Sequence, residues 1–396
     1  MVAYLIQSPS WHHTIKIITG MNIGFDAKRA FKNFTGLGNY SRFVVKSLSD
    51  HYPKNEYFLY SPMGAIHNEE VTDSCTNNNQ KIITPEGMWN FPVMSGLWRS
   101  VFSGKTHNNN KLDIFHGLSS EIPVQKDKKT RYVVTIHDLI YLRFPHLYNP
   151  LDVKIYKYKA KYACEKADKI IAVSNQTAKD ITRFLQIPEK KIEVVHQGCH
   201  QNFKEKVSAE DLARISKKYN LPPSYMLTVG TIEKRKNIGL ILDFLKNNPE
   251  CDHPLVVVGK PSPYLKELKS YIEVSGLENR VLFLHQVTFE DLPVIYAGAY
   301  VFIYPSIFEG FGIPIIEAQE SGVPVITSMG TCFEEVGGRS VLYTDPNDID
   351  HLKSNLAALK CKGFRDSLIK EGKENTKRFQ PDTISKKLIK VYDDLV

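Results

Sequence analysis

No run in this chain approaches the roughly 18 consecutive apolar residues that a membrane-spanning helix needs. The first residues also lack a basic region followed by a long apolar one, so neither a span nor a signal peptide is expected. Cysteine is sparse: the six in 396 residues, at positions 75, 164, 199, 251, 332 and 361, form no C-x-x-C pair and have no histidine at zinc spacing. A disulfide scaffold and a zinc module are thereby excluded, and reduced thiols serving as small core residues are expected. No Asp-x-Asp motif stands in a loop suited to a metal, so the chain is expected to work without one. The dehydrogenase fingerprint G-x-G-x-x-G is missing as well, because Gly36 and Gly38 are followed by no third glycine. Acidic residues are outnumbered, 43 against 51 Lys and Arg, and the net charge of +8 favours anionic partners without choosing among phosphates, lipid surfaces and nucleic acid.

What the chain does contain is alternation. Short apolar runs suited to strands occur at Met21–Asp26, Tyr57–Tyr60, Lys81–Thr84, Leu112–His116, Tyr132–Ile136, Lys169–Val173 and Ile192–Val195. A second series follows at Tyr225–Gly230, Leu255–Gly259, Val281–Leu284, Tyr300–Tyr304, Val323–Thr327 and Val341–Tyr343. Helical patterns separate most of them, which predicts α/β architecture with doubly wound parallel sheets. Regular patterning lapses near Gly198–Ser208, so the expected organisation is an extension over 1–20, a first domain over 21–203, a second over 204–380, and a final helix over 381–396 behind Pro381. Thr72–Gln80 is polar and reads as an exposed loop, and Tyr141–Pro150 as a mobile one. Trp89–Phe102 is aromatic and helical in pattern, read first as a cover for the sheet and second as an acceptor or membrane-surface contact. The Asp152–Lys166 helix carries Lys154, Lys157, Lys159, Lys161 and Lys166. Its plain reading is a solvated face, its sharper one a patch for anionic lipid.

The most informative stretch is Ala299–Ser328. An apolar strand stops at Pro305, a loop runs through Glu309-Gly310-Phe311-Gly312, a helix starts around Pro314 and carries Glu317, and Gly322 precedes another strand. Proline suits a first helical turn and glycine a helix exit, so the unit is βαβ, with its loop at the carboxyl edge where open α/β sheets bind ligands. The two carboxylates suit sugar hydroxyls, and the two glycines let backbone N–H groups approach a ligand. Elsewhere, Thr231-Ile232-Glu233-Lys234-Arg235-Lys236-Asn237 joins a strand to a helix with the cations a diphosphate needs. Gly36-Leu37-Gly38 likewise joins a strand to a helix, and Thr135-Ile136-His137-Asp138 ends a strand in a histidine and an acid.

Together these segments resemble the retaining glycosyltransferases of the large family that includes sucrose, glycogen and mannosyl transferases. The likeness covers about Met21 to the C-terminus and is most specific over Val229–Thr327. It implies a GT-B fold of two Rossmann-like domains facing a cleft, with a final helix crossing back to the first domain. It also implies a nucleoside diphosphate sugar, GDP- or UDP-linked, as co-substrate, with no cofactor and no metal. By resemblance, His137, Glu309, Arg235 and Lys236 would be catalytic, and Gly36, Gly38, Arg235, Lys236, Glu309, Gly310, Phe311, Gly312 and Glu317 would bind the donor. Thr231 stands where many relatives have arginine, so Arg235 and Lys236 would carry the phosphate charge. The expected reaction transfers a hexose, mannose first, to a saccharide or lipid-linked acceptor in cell-surface polysaccharide synthesis. It is placed in the cytoplasm, with a peripheral contact at the inner membrane face as the sharper reading, and nucleic acid is not an expected partner. Two alternatives stand beside this: an epimerase or phosphorylase of similar fold, and a non-catalytic sugar-nucleotide-binding subunit.

Overall fold

The computed structural model describes residues 20–33, 36–62, 77–85 and 98–396. Residues 1–19 of the expected extension, 72–76 of the polar loop and 89–97 of the aromatic stretch lie outside them. Two all-parallel sheets form the frame. The first comprises β1 (Asn22–Asp26), β2 (Glu56–Tyr60), β3 (Gln80–Ile83), β4 (Ile114–Gly117), β5 (Arg131–Ile136), β6 (Lys169–Ala172) and β7 (Ile192–Val194), in the order 3-2-1-4-5-6-7. The second comprises β8 (Met226–Val229), β9 (Leu255–Val258), β10 (Val281–Leu284), β11 (Val301–Tyr304), β12 (Val325–Ser328) and β13 (Val341–Thr344), in the order 10-9-8-11-12-13. All thirteen apolar runs become strands. Their near-continuous Val, Ile, Leu and aromatic content follows from cover on both faces: β4, β9, β11 and β12 are buried along their whole length. This is the expected doubly wound α/β architecture.

Strand order reverses between β1 and β4 in one sheet and between β8 and β11 in the other. Ligands of open parallel sheets bind at such reversals, beyond the carboxyl ends. The loops leaving β8 and β11 contain Arg235-Lys236 and Glu309-Gly310, so the topology itself brings these segments to the second switch point. Gly36 and Gly38, expected in a loop joining β1 to a helix, instead begin the Gly36–His51 helix, which follows β1 only after a short helix at Lys28–Lys32.

The chain changes partner twice. Val195 packs in the core of the first sheet, whereas Cys199 and Phe203 pack in that of the second. Phe379 still belongs to the second core, but Ile384, Leu388, Ile389, Val391 and Tyr392 of the Pro381–Asp393 helix pack into the first. Tyr392 Oη lies 2.7 Å from Nδ1 of the buried His116 ring, and the other ring nitrogen lies 2.8 Å from Thr135 Oγ1. Between Ile140 and Leu147 the loop expected to be mobile makes two short turns, Ile140–Arg143 and Pro145–Leu147, because Phe308 of the second domain wedges against Arg143 and Phe144. The basic helix spans Pro150–Lys166, with Asn149 accepting from Leu151 N at 2.9 Å as its cap. No helix among the described residues is long and apolar enough to cross a membrane.

Candidate active site

Glu309 lies at the centre. Its Oε1 is 2.6 Å from Arg235 Nη1 and 2.7 Å from Lys236 Nζ. Burial alone would raise the Glu309 carboxyl, but Lys236 and Arg235 overcome it and hold the group at about 2, ionised at neutral pH. Lys236 Nζ also donates to Tyr304 Oη at 2.7 Å, at the end of β11, and lies over that ring. Arg235 donates at 2.5 Å to Phe308 O and at 2.5 Å to Glu233. Gly230 makes room for this arrangement: it has φ +142°, and a Cβ there would meet Lys236 Cε at 3.2 Å. The Lys234–Lys236 turn ends in Asn237, which has left-handed backbone and is tied to Pro346 O at 2.7 Å, so both cations sit on a fixed corner before the Ile238–Asn247 helix.

The loop after β11 is clasped by the first domain. A Cβ on Gly310 would fall 2.0 Å from His137 O, so only glycine permits the approach. Ser174 Oγ donates to Gly310 O at 2.6 Å, and Thr177 Oγ1 lies 3.2 Å from both Gly310 O and His137 O. From beneath, the Cys332 thiol lies 3.0 Å from Phe311 O and 3.2 Å from Glu309 O. Glu335 accepts from Asn175 N at 2.9 Å and from His196 Nε2 at 2.6 Å, fastening the two domains a little further on. Phe311 turns its ring into the core against His196 and Phe379, leaving only its backbone for a ligand. Gly312, with φ +106°, opens the Ile313–Glu320 helix.

His137 is buried with both ring nitrogens engaged. Nε2 donates to Leu118 O at 2.8 Å, which leaves Nδ1 to accept from Gln197 Nε2 at 2.8 Å. Burial pulls the ring down to about 4, so it is neutral. The Tyr40 ring meets it edge-on at 4.6 Å, placing the Gly36–His51 helix beside the histidine. Asp138 follows, its carboxyl raised by burial, with Ile140 N donating at 3.1 Å and Arg235 and Glu309 close enough to act on it electrostatically. In the first turn of the Gly36–His51 helix Gly38 is required by packing, since a Cβ would fall 1.6 Å from Asn33 O, whereas Gly36 faces open space.

The structure therefore unites Arg235, Lys236 and Glu309, and sets Gly310 on His137. Glu317 stands apart. It shares no hydrogen bond with the cluster among the described residues. Its carboxylate accepts from Tyr296 Oη at 2.9 Å, and burial pushes it up to about 7. Tyr304, Tyr296, Gln197 and Cys332 were not foreseen, because each lies in an apolar run or at a domain edge where nothing local marks a polar role. Asp138 was marked only as the neighbour of His137. Among the described residues no three His, Cys, Asp or Glu side chains are grouped to hold a metal.

Two parallel sheets whose switch points meet across a cleft, with a basic corner against a glutamate in a glycine loop, define the class as a GT-B glycosyltransferase. The model of the glycosyl transferases group 1 matches residues 210–375, and that of glycosyltransferase family 4 matches residues 45–202. O-antigen chain mannosyltransferase B of Escherichia coli is 30% identical over 371 residues, covering 90% of this chain and 96% of that one. The chain belongs to this glycosyltransferase family. Solved structures of similar fold include sucrose-phosphate synthase from Thermosynechococcus elongatus (TM-score 0.73, 17% identity, 95% of this chain and 99% of that one). Anabaena HepE in complex with UDP and glucose is another (TM-score 0.71, 16% identity, 94% and 100%).

Proposed function

We propose that this glycosyltransferase moves mannose, with retention at the anomeric carbon, from GDP-mannose to a saccharide or lipid-linked saccharide acceptor during assembly of a cell-surface polysaccharide. The observation that carries the reading is the buried Arg235–Lys236–Glu309 cluster at the second sheet's switch point. Arg235 and Lys236 meet Glu309, and Arg235 also meets Glu233, so the carboxylates hold both cations in place where a departing diphosphate would need them. Lys236 has three donors, of which Tyr304 and Glu309 take two, so one remains for a phosphate oxygen. Mannose as the sugar is supported by the mannosyltransferase spanning nine-tenths of this chain.

In the proposed transfer the acceptor hydroxyl attacks from the face the diphosphate leaves. The bond from the anomeric carbon to the phosphate oxygen breaks, the bond to the acceptor oxygen forms, and the acceptor's proton passes to the leaving phosphate. Arg235 and Lys236 stabilise the negative charge that develops there, and no metal takes part. The engaged, neutral His137 ring fits a mechanism with no protein base; its part is to shape the wall against Gly310. Glu309 sits toward the transferred sugar and Glu317 toward the donor's ribose hydroxyls.

A donor panel of GDP- and UDP-sugars, incubated with and without oligosaccharide acceptors, tests this. Glycosidic product from GDP-mannose with α-configuration by NMR is expected. Isomerised donor or binding without turnover would refute it.

A further inference from the structure

A cavity of about 460 Å³ opens in the first domain, within the ~300–1,000 Å³ range usual for ligand pockets. Asp26 at the end of β1 and Tyr60 at the end of β2 stand on its floor, so it shares the sheet edge that carries His137. One wall is the Pro150–Lys166 helix. That helix buries a face of small residues, Ala160, Ala163 and Cys164, against the sheet. A second apolar stripe, Leu151, Ile155, Tyr158 and Tyr162, recurs at four, three and four residues along a different face. The stripe is largely uncovered: Tyr158 is 74% exposed and Leu151 65%. Ile122 and Val124 form the opposite wall, and Tyr162 Oη spans to Val124 O at 3.2 Å.

Charge is arranged at the same place. Arg99 bridges Asp26 and Glu121, Lys159 Nζ reaches Glu121 at 3.1 Å, and Lys154 lines the slot. Lys28 is within electrostatic reach of the same groups. Four cations thus face two carboxylates, and the buried Arg99 Nε has no hydrogen-bond partner among the described residues. The exposed apolar walls suit a hydrocarbon segment, and the cationic surplus favours a negative head.

We propose that this slot takes the apolar end of an amphipathic, phosphate-bearing acceptor, its chain between Ile155, Tyr158 and Val124 and its phosphate at the Lys154, Lys159 and Arg99 side. The proposal rests on the glycosyltransferase reading for the word acceptor, but its test needs no donor. Dodecyl phosphate below its micellar concentration is titrated into the full chain by calorimetry, beside inorganic phosphate and dodecyl maltoside. Dodecyl phosphate should bind more tightly than either comparator. Ile155→Asn with Tyr158→Ser should weaken it roughly tenfold or more, the scale of uncovering apolar side chains. Lys159→Gln should weaken dodecyl phosphate and spare dodecyl maltoside. Tyr158→Phe should bind like the parent, and all variants should keep GDP and UDP affinity, which belongs to the second domain. Equal dodecyl phosphate binding by parent and double variant, no binding by the parent, or equal binding of inorganic phosphate would overturn the slot. So would loss of sedimentation with phosphatidylglycerol vesicles in variants that still bind dodecyl phosphate fully, since the stripe would then be a bilayer contact. Failure of the parent to bind GDP or UDP would count against the donor reading alone.

Discussion

The two glutamates of the β11 unit should respond to neutralisation with opposite signs. Glu309 is a carboxylate whose folded value lies below its unfolded one, so the stability it contributes is present above pH 4.5 and is lost as pH falls toward 2. Glu317 is displaced the other way, from 4.5 up to about 7: as pH rises through that window the unfolded chain ionises it while the folded chain does not, and stability is lost. Each displacement corresponds to about 3 kcal/mol, and both side chains are too buried for solvent to screen much of it. Without ligand, Glu309→Gln should therefore destabilise by about 3 kcal/mol at both pH 5 and pH 8. Glu317→Gln, whose amide oxygen still accepts from Tyr296, should stabilise by about 3 kcal/mol at pH 8 and only about 1 kcal/mol at pH 5. In thermal unfolding followed by circular dichroism, shifts of roughly 5–10 °C are expected where the full effect applies. A fall in Tm for Glu317→Gln at pH 8, or an equal gain at both pH values, would refute the assignment of a strained, uncompensated carboxyl at that position.

Kinetics should separate the same pair differently: Glu317→Ala should mainly raise the donor KM and Glu309→Ala mainly lower kcat, with the reverse pattern meaning the donor lies the other way in the cleft. Lys236→Ala should slow turnover by roughly 10²- to 10³-fold, the scale for removing one stabilising donor, and unchanged steady-state rates would discard its role. Activity should survive EDTA; loss restored by Mg²⁺ or Mn²⁺ would overturn the metal-free mechanism. Gly310→Ala would put a methyl 2.0 Å from His137 O, so it should abolish transfer by forcing the domains apart while GDP binding to the second domain persists, as calorimetry would read.

The fold could be read from the chain because parallel strands buried on both faces have to be continuous apolar runs, and thirteen such runs were visible. The cations and Glu309 could be marked because each stands where a strand hands over to a helix. What local pattern does not carry is partnership across the cleft. Nothing around Cys332 distinguishes it from the other scattered thiols until the chain folds Glu309 O and Phe311 O onto it. His137 was marked by its place at a strand end, but its engagement by Leu118 and Gln197 depends on contacts 19 and 60 residues away. Sequence separates Glu309 from Glu317 only as loop from helix, and it is tertiary packing that gives one two cations and the other a lone phenol.

The double crossing of the chain has a consequence for how the protein comes into being. Because the Pro381–Asp393 helix completes the core begun by β1, the second domain is in effect spliced into the first. Synthesis runs from the N-terminus, so the first sheet can be assembled early but its groove beside Tyr40 and Phe43 stays open until the Pro381–Asp393 helix, made after the whole second domain, leaves the ribosome. The unit begun first is thus finished last. A released chain ending at residue 380 should hold a native second domain on an unfinished first one, and a separate 381–396 peptide supplied to it should close that groove.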